Sequence, residues 1–134
     1  DSKRTLEGHV QVVEREIAGF QAEVKALPDL EKKHTPVIEA PDTVQAGQPF
    51  DVTVHVGKLL KHPNEPEHFI QSIELYKGYV LLARAELSGA MAEPKVTFSV
   101  KLDPAIAADE GVLRAFEKCN MHGVWTSTKA IAVK

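Results

Sequence analysis

Cysteine is almost absent: Cys119 is the only one in 134 residues. A disulfide within the chain is therefore impossible, and no cystine framework holds this fold. A lone thiol is a buried small residue, a nucleophile or a metal ligand. Long apolar runs are missing too, since none approaches the roughly 20 residues that a membrane-spanning helix needs. Charge of one sign is also lacking. The net charge is -3, with no large single-sign block, which removes the electrostatic footprint of a binder of nucleic acid or of a membrane surface. No internal repeat and no low-complexity segment occurs. What is there is one domain's length of globular composition, 43% hydrophobic and 26% charged, enough to bury a core. The chain begins at Asp1 rather than methionine, which leaves trimming, tagging or processing open.

Two periodicities divide the chain. Leu6, Val10, Val13, Ile17, Phe20, Val24 and Leu27 step alternately by four and three. That spacing predicts a helix over residues 4 to 27 with one narrow apolar stripe, ended by Pro28. Val10, Ile17 and Val24 fall at a positions and Leu6, Val13, Phe20 and Leu27 at d positions, a choice that favours two-stranded coiled coils. The stripe docks either on the protein's own body or on a second subunit. From His34 onward the period is two. "PFDVTVHVG" places Phe50, Val52, Val54 and Val56 on one face and Asp51, Thr53 and His55 on the other. "HFIQSIELYKG", "YVLLARAEL", "KVTFSVKL", "VLRAFEKC" and "VWTSTKAIAV" read as further strands, separated by turn signals such as "QAGQP", "YKGY" and "MHG". The expected fold is all-β: an immunoglobulin-like antiparallel β-sandwich of about seven strands, with an N-terminal α-helix. Residues 1–28 form the helical extension and 29–134 the β-sandwich domain.

Six histidines accompany the single thiol. His9 lies off the helical stripe and His55 on the polar face of its strand, so both read as surface residues. The other four stand at loops or strand ends. His34 lies in the loop leading to the first strand. His62 and His68 bracket "PNEPE", whose prolines restrict the loop and lower the entropy lost on binding. His122 follows Cys119 by three, so a thiolate and an imidazole can converge on one ion. Each feature alone is weak. Together they give four imidazoles and one thiolate, too many for a structural zinc site and suited to a redox metal, iron or copper. A cupredoxin-like electron-transfer protein is the alternative, although Met121 precedes His122 and no methionine follows. A metal-free immunoglobulin-like binding module is the third reading.

The segments "KHTP", "HPNEPEHFI" and "CNMHGVW", in this order, resemble the superoxide reductases of the neelaredoxin and desulfoferrodoxin family over roughly residues 31 to 134. The resemblance implies one mononuclear non-haem iron (Fe2+/Fe3+) per chain. Its ligands would be His34, His62, His68 and His122 in the equatorial plane, with Cys119 as axial thiolate and a sixth position open. The activity implied is one-electron reduction of superoxide to hydrogen peroxide, in defence against oxidative stress. Two-iron members carry an additional four-cysteine iron centre, and one cysteine leaves no room for it in this sequence, so the likeness is to the one-iron, neelaredoxin-like type. The family pattern Glu-Lys-His-x-Pro, whose glutamate caps the ferric iron, reads "EKKHTP" here. Lys33 matches the lysine, Lys32 stands at the glutamate's position, and Glu31 lies one residue further back. Either Glu31 reaches the metal or no carboxylate caps it. Lys33 and Lys32 would attract the superoxide anion, and backbone amides of residues 120 to 122 are placed to tune the sulfur. The resemblance also implies a rubredoxin-like electron donor and a homo-oligomer, a tetramer rather than a dimer, with neither nucleic acid nor membrane as partner. A cytoplasmic location fits a free thiolate site, with a periplasmic one open if the N-terminus reflects signal cleavage.

Overall fold

The computed structural model describes residues 12–16, 27–103, 105 and 112–134. Period-two patterning sets its core. β4 (Phe50–Val56) turns Val52, Val54 and Val56 inward, each at most 1% exposed, while Asp51 faces solvent. β-branched side chains fit such a pleated surface, and each fully buried valine contributes about 1.5–3 kcal/mol. β4 is the middle of an antiparallel sheet, between β2 (Pro36–Glu39) and β7 (Lys95–Val100). The second sheet carries β5 (Ile70–Lys77), β6 (Val80–Glu86), β8 (Val112–Cys119) and β9 (Gly123–Ala130), antiparallel in the order β9-β8-β5-β6. Ile73, Leu75, Leu113 and Ala115 of this sheet are fully buried and join the β4 valines in one cluster. These seven strands are the sandwich that the sequence implies.

Three further strands extend it. β3 (Thr43–Val44) and β10 (Ala132–Val133) pair in parallel. β1 (Val12–Glu16) pairs in parallel with β9, Val12 opposite Val124 and Glu16 opposite Thr128. β1 corrects the helix expected over residues 4 to 27. At residues 12–16 the chain is extended, because β9 offers an edge of unpaired amides and carbonyls and adjacent β-branched Val12 and Val13 suit a strand. Tertiary pairing outweighs the helical spacing there. Residues 4–11 and 17–26 of that expected helix lie outside the described residues.

Two short elements escaped the periodicity. α1 (Asp29–His34) begins after Pro28, whose carbonyl accepts the Lys32 N–H at 3.1 Å. Asp29 and Glu31 stand in its first turn and Lys32, Lys33 and His34 in its last, which suits the helix dipole. His34 is thus the last residue of a helix, not part of a loop. β2 starts immediately afterwards at Pro36, the strand position that proline tolerates. Ser127 Oγ donates to the Pro36 carbonyl and pins β2 to β9.

Candidate metal centre

Three parts of the chain meet at one end of the sandwich: the C-terminal end of α1, the loop between β4 and β5, and the β8–β9 turn. His34 comes from the first. Its Nδ1–H donates to the Leu30 carbonyl, 2.7 Å away and one helical turn back. Trp125 stacks on its ring at 4.8 Å and 19°, and Trp125 is itself fixed by an Nε1–H bond to the His122 carbonyl at 3.1 Å. His62 and His68 come from the loop. Gly57, at the loop's start, has φ +91°, and a Cβ there would lie 2.8 Å from the His62 backbone nitrogen. Only glycine lets the two backbone segments approach in this way. His62 Nδ1–H then donates to the Pro63 carbonyl at 2.5 Å. Glu65 and His68 exchange backbone N–H to carbonyl bonds of 2.9 and 3.1 Å, closing the loop on itself. In the third part Cys119 ends β8 and His122 is the last of the three turn residues, 120 to 122, before β9 opens at Gly123 with φ +81°.

The four imidazoles form a closed ring of neighbours. Centroids of His34 and His62 lie 4.7 Å apart, His62 and His68 4.8 Å, His68 and His122 5.0 Å, and His122 and His34 4.9 Å. Rings that point nitrogens from about 2 Å at one ion, at right angles, have centroids about 4.5–5 Å apart. The donor atoms of His34, His68, Cys119 and His122 all lie within 4.8 Å of one another. His62 joins them at the side: its Nε2 is 3.2 Å from His34 Nε2 and 3.5 Å from Cys119 Sγ. Cys119 Sγ is also 3.8 Å from His122 Nδ1.

Electrostatics show what this cluster is suited to hold. Carbonyls only accept, so Nδ1 of both His34 and His62 carries the proton. Their Nε2 lone pairs then face each other at 3.2 Å, a repulsive arrangement unless a cation shares them. A proton is disfavoured, because burial lowers both pKa values to about 4, with the neighbouring imidazoles adding to the effect. Burial lowers His68 as well. Its Nε2 is buried without a hydrogen-bond partner, which is costly for a polar atom unless it coordinates. Burial pushes the Cys119 thiol up, against hydrogen bonds from the Met121 and His122 backbone amides. Those amides lie in the stretch that the sequence marked for tuning the sulfur. A bound cation would deprotonate the thiol. The donor set therefore fits a metal ion of the kind thiolate and imidazole share.

The remaining sequence-marked residues lie around this centre. After burial and the neighbouring groups, the Lys33 charge adds to the lowering of both His62 and His68. Helical spacing places Glu31 three residues before His34, on the same side of α1, and turns Lys32 away. His55 is partly buried on β4, and the described residues do not bring it to the cluster. His9 lies outside the described residues. Sequence reasoning gave no role to Trp125, although it is the only tryptophan and belongs to "CNMHGVW". It also passed over Glu117. This residue shares the inward face of β8 with Leu113, Ala115 and Cys119, and both of its carboxyl oxygens are buried without a partner. Burial raises its pKa well above the usual carboxylate value. A charged residue among apolar alternation was the available signal.

Residues 27–128 match the family described as Desulfoferrodoxin. The chain is 36% identical over 121 residues to the neelaredoxin of Megalodesulfovibrio gigas, covering 77% of this chain and 89% of that one. It is 38% identical over 103 residues to the superoxide reductase of Pyrococcus horikoshii, covering 70% and 83%. Among solved structures, the superoxide reductase (neelaredoxin) from Ignicoccus hospitalis superposes with a TM-score of 0.65 at 45% identity, covering 75% of this chain and 81% of that one.

Proposed function

The chain belongs to the desulfoferrodoxin family, and from that premise we propose how its histidine–cysteine cluster works. The protein is a superoxide reductase. Iron is the metal the family implies, and His34, His62, His68, His122 and Cys119 are the residues that would hold it. When bound, iron supplies the single electron: superoxide, one electron and two protons give hydrogen peroxide.

The chain's own residues carry the rest. Burial shifts His34, His62 and His68 toward the neutral form, and the rings of the cluster are held by carbonyls, a stacked indole and a closed loop, so little reorganises on binding. The Cys119 thiolate lies on the buried side, where the Met121 and His122 amides share its charge and tune its donation. Lys33 raises the encounter rate of the small anion at the open side, with Lys32 a weaker contributor. Both protons come from water at that side, which favours peroxide. Glu31 is the carboxylate that caps the site when it is oxidised and at rest.

The observation that carries this reading is the facing pair of Nε2 lone pairs inside a ring of four imidazoles above one thiol. Cys119→Ser tests it. The wild-type protein loaded anaerobically with ferrous iron and then oxidised shows a visible sulfur-to-iron charge-transfer band, and the variant lacks it. A band that survived the substitution would remove Cys119 as a ligand. Iron content and the optical spectrum together also separate this reading from a copper-carrying cupredoxin. We further propose a rubredoxin-like electron donor, tested by the rate at which reduced rubredoxin reduces the ferric protein. A homotetramer in a reducing, cytoplasmic compartment completes the reading, tested by sedimentation of the full chain and by cell fractionation.

A further inference from the structure

Asn120 follows Cys119 directly, and its carboxamide straddles the backbone of His68. Oδ1 accepts the Phe69 N–H at 3.0 Å, and Nδ2 donates to the Glu67 carbonyl at 2.9 Å. The peptide groups on both sides of His68 are therefore held by one side chain. The Asn120 backbone N–H adds a third bond, to the Phe69 carbonyl at 3.2 Å. This bond continues the β5–β8 ladder beyond its last pair, Ile70 opposite Cys119. The far end of the same loop is tied elsewhere: Asn64 accepts the Ala90 N–H at 2.9 Å and donates to the Ala92 carbonyl at 3.2 Å. Between these ties the Glu65–His68 exchange makes the loop rigid. Its placement relative to Cys119 then depends on Asn120.

We propose that Asn120 is a positioning residue that sets the approach of the His68 ring to Cys119 Sγ, and so presets the spacing of the metal centre. The inference rests on the reading of the cluster as an iron site. The side chain touches neither superoxide nor metal. It acts through His68, whose buried Nε2 has no other partner. Without the clamp, the loop keeps its internal bonds but pivots about Asn64, and binding a metal must then restore the geometry each time. A carboxamide suits the task because it offers one acceptor and one donor side by side, matching an N–H and a carbonyl two residues apart.

The test compares the full-length wild type with Asn120→Ala, Asn120→Asp and Val52→Ala. Val52 lies in the core of β4, away from the site, so its truncation reports on stability alone. Ferrous iron is titrated anaerobically against a competing chelator, and the charge-transfer band is recorded after oxidation. Asn120→Ala should bind iron about 10–100-fold more weakly and show a shifted, weaker band. Asn120→Asp keeps the acceptor for Phe69 but sets an oxygen against the Glu67 carbonyl, so it should fall between. Val52→Ala should melt earlier with an unmoved band. Wild-type affinity and band position in Asn120→Ala, or a loss no larger than in Val52→Ala, would overturn the proposal. If Asn120→Ala does not fold, wild-type affinity in Asn120→Asp overturns it equally. A wild-type protein that takes up no iron would sink the iron reading itself.

Discussion

Lys33 is the cation we propose for the open side of the cluster. Its effect reaches both His62 and His68, yet no ligand role falls to it. A cation at the mouth acts on the rate at which an anion arrives, and salt screens that action over a Debye length of about 10 Å at 0.1 M. Lys33→Ala should keep its iron, lose several-fold in second-order superoxide capture at low salt, and show a flatter dependence on ionic strength. Pulse radiolysis reads this directly, and an unchanged rate would remove the role. Glu31 is expected to act at a different point. Three residues before His34 on α1, it shares that residue's side of the helix, as Lys32 does not. Glu31→Ala should alter the resting ferric spectrum while leaving capture by the ferrous protein intact. An unaltered spectrum excludes it as the cap. At this scale the sequence was legible where chemistry is written in residue type and spacing. His62 and His68 around two prolines, and Cys-x-x-His, were visible in that way. Asn120 and Trp125 were not, because their roles arise from contacts with residues 51 to 91 positions away in the chain.

β4 shows both what periodicity reveals and what it hides. Its inward valines follow the alternation, and so does the inward face of β8, whereas β5 follows it only from Ile73 on, after a register shift between Ile70 and Ser72. β2 has only four residues and begins at a proline, too short for a period to register. β1 shows the opposite failure, where a spacing of four and three ran through a segment that the free edge of β9 holds extended. On β4, His55 is partly buried opposite Val37 of β2 and Lys95 of β7, with Lys58, Glu39 and Glu93 nearby. Burial and then Lys95 lower its pKa below 6.5, against the opposing pull of Glu39 and Glu93. Below pH 6.5 the unfolded chain therefore binds the proton first. The stability that a neutral His55 permits is complete above that pH and is lost as pH falls toward the folded value. His55→Thr keeps a good strand former and removes this dependence. Its unfolding free energy should fall less than that of the wild type between pH 7.5 and 5, by under about 1.4 kcal/mol per pH unit. Denaturant titrations at the two pH values measure it, and parallel losses in both proteins would remove His55 as a contributor.

Scaffold and centre are separable in the whole molecule. Apart from Cys119, the buried apolar cluster uses none of the cluster's donor residues. The imidazoles come from a helix end, a loop and a turn at one end of the sandwich. A zinc finger unfolds without its metal because it has little else to fold around. This protein has Val52, Val54, Ile73, Leu75, Leu113 and Ala115 fully buried between two sheets. Metal-free protein should therefore keep its β-sheet circular dichroism and melt cooperatively. Metal should still stabilise it by mass action, since only the folded state brings the five donors together. The gain is about 3 kcal/mol at a hundredfold excess of free metal over Kd, or roughly 10 °C in Tm for a domain of this size. The loss on metal removal should also be local. Without a cation, the facing lone pairs of His34 and His62 repel and His68 Nε2 has no partner, so strain falls on the loop and turn. Amides of residues 61–69 and 120–123 should exchange faster in metal-free protein, while those of β4, β5 and β8 stay protected. Loss of protection throughout the sandwich would mean that the centre holds the fold, not the fold the centre.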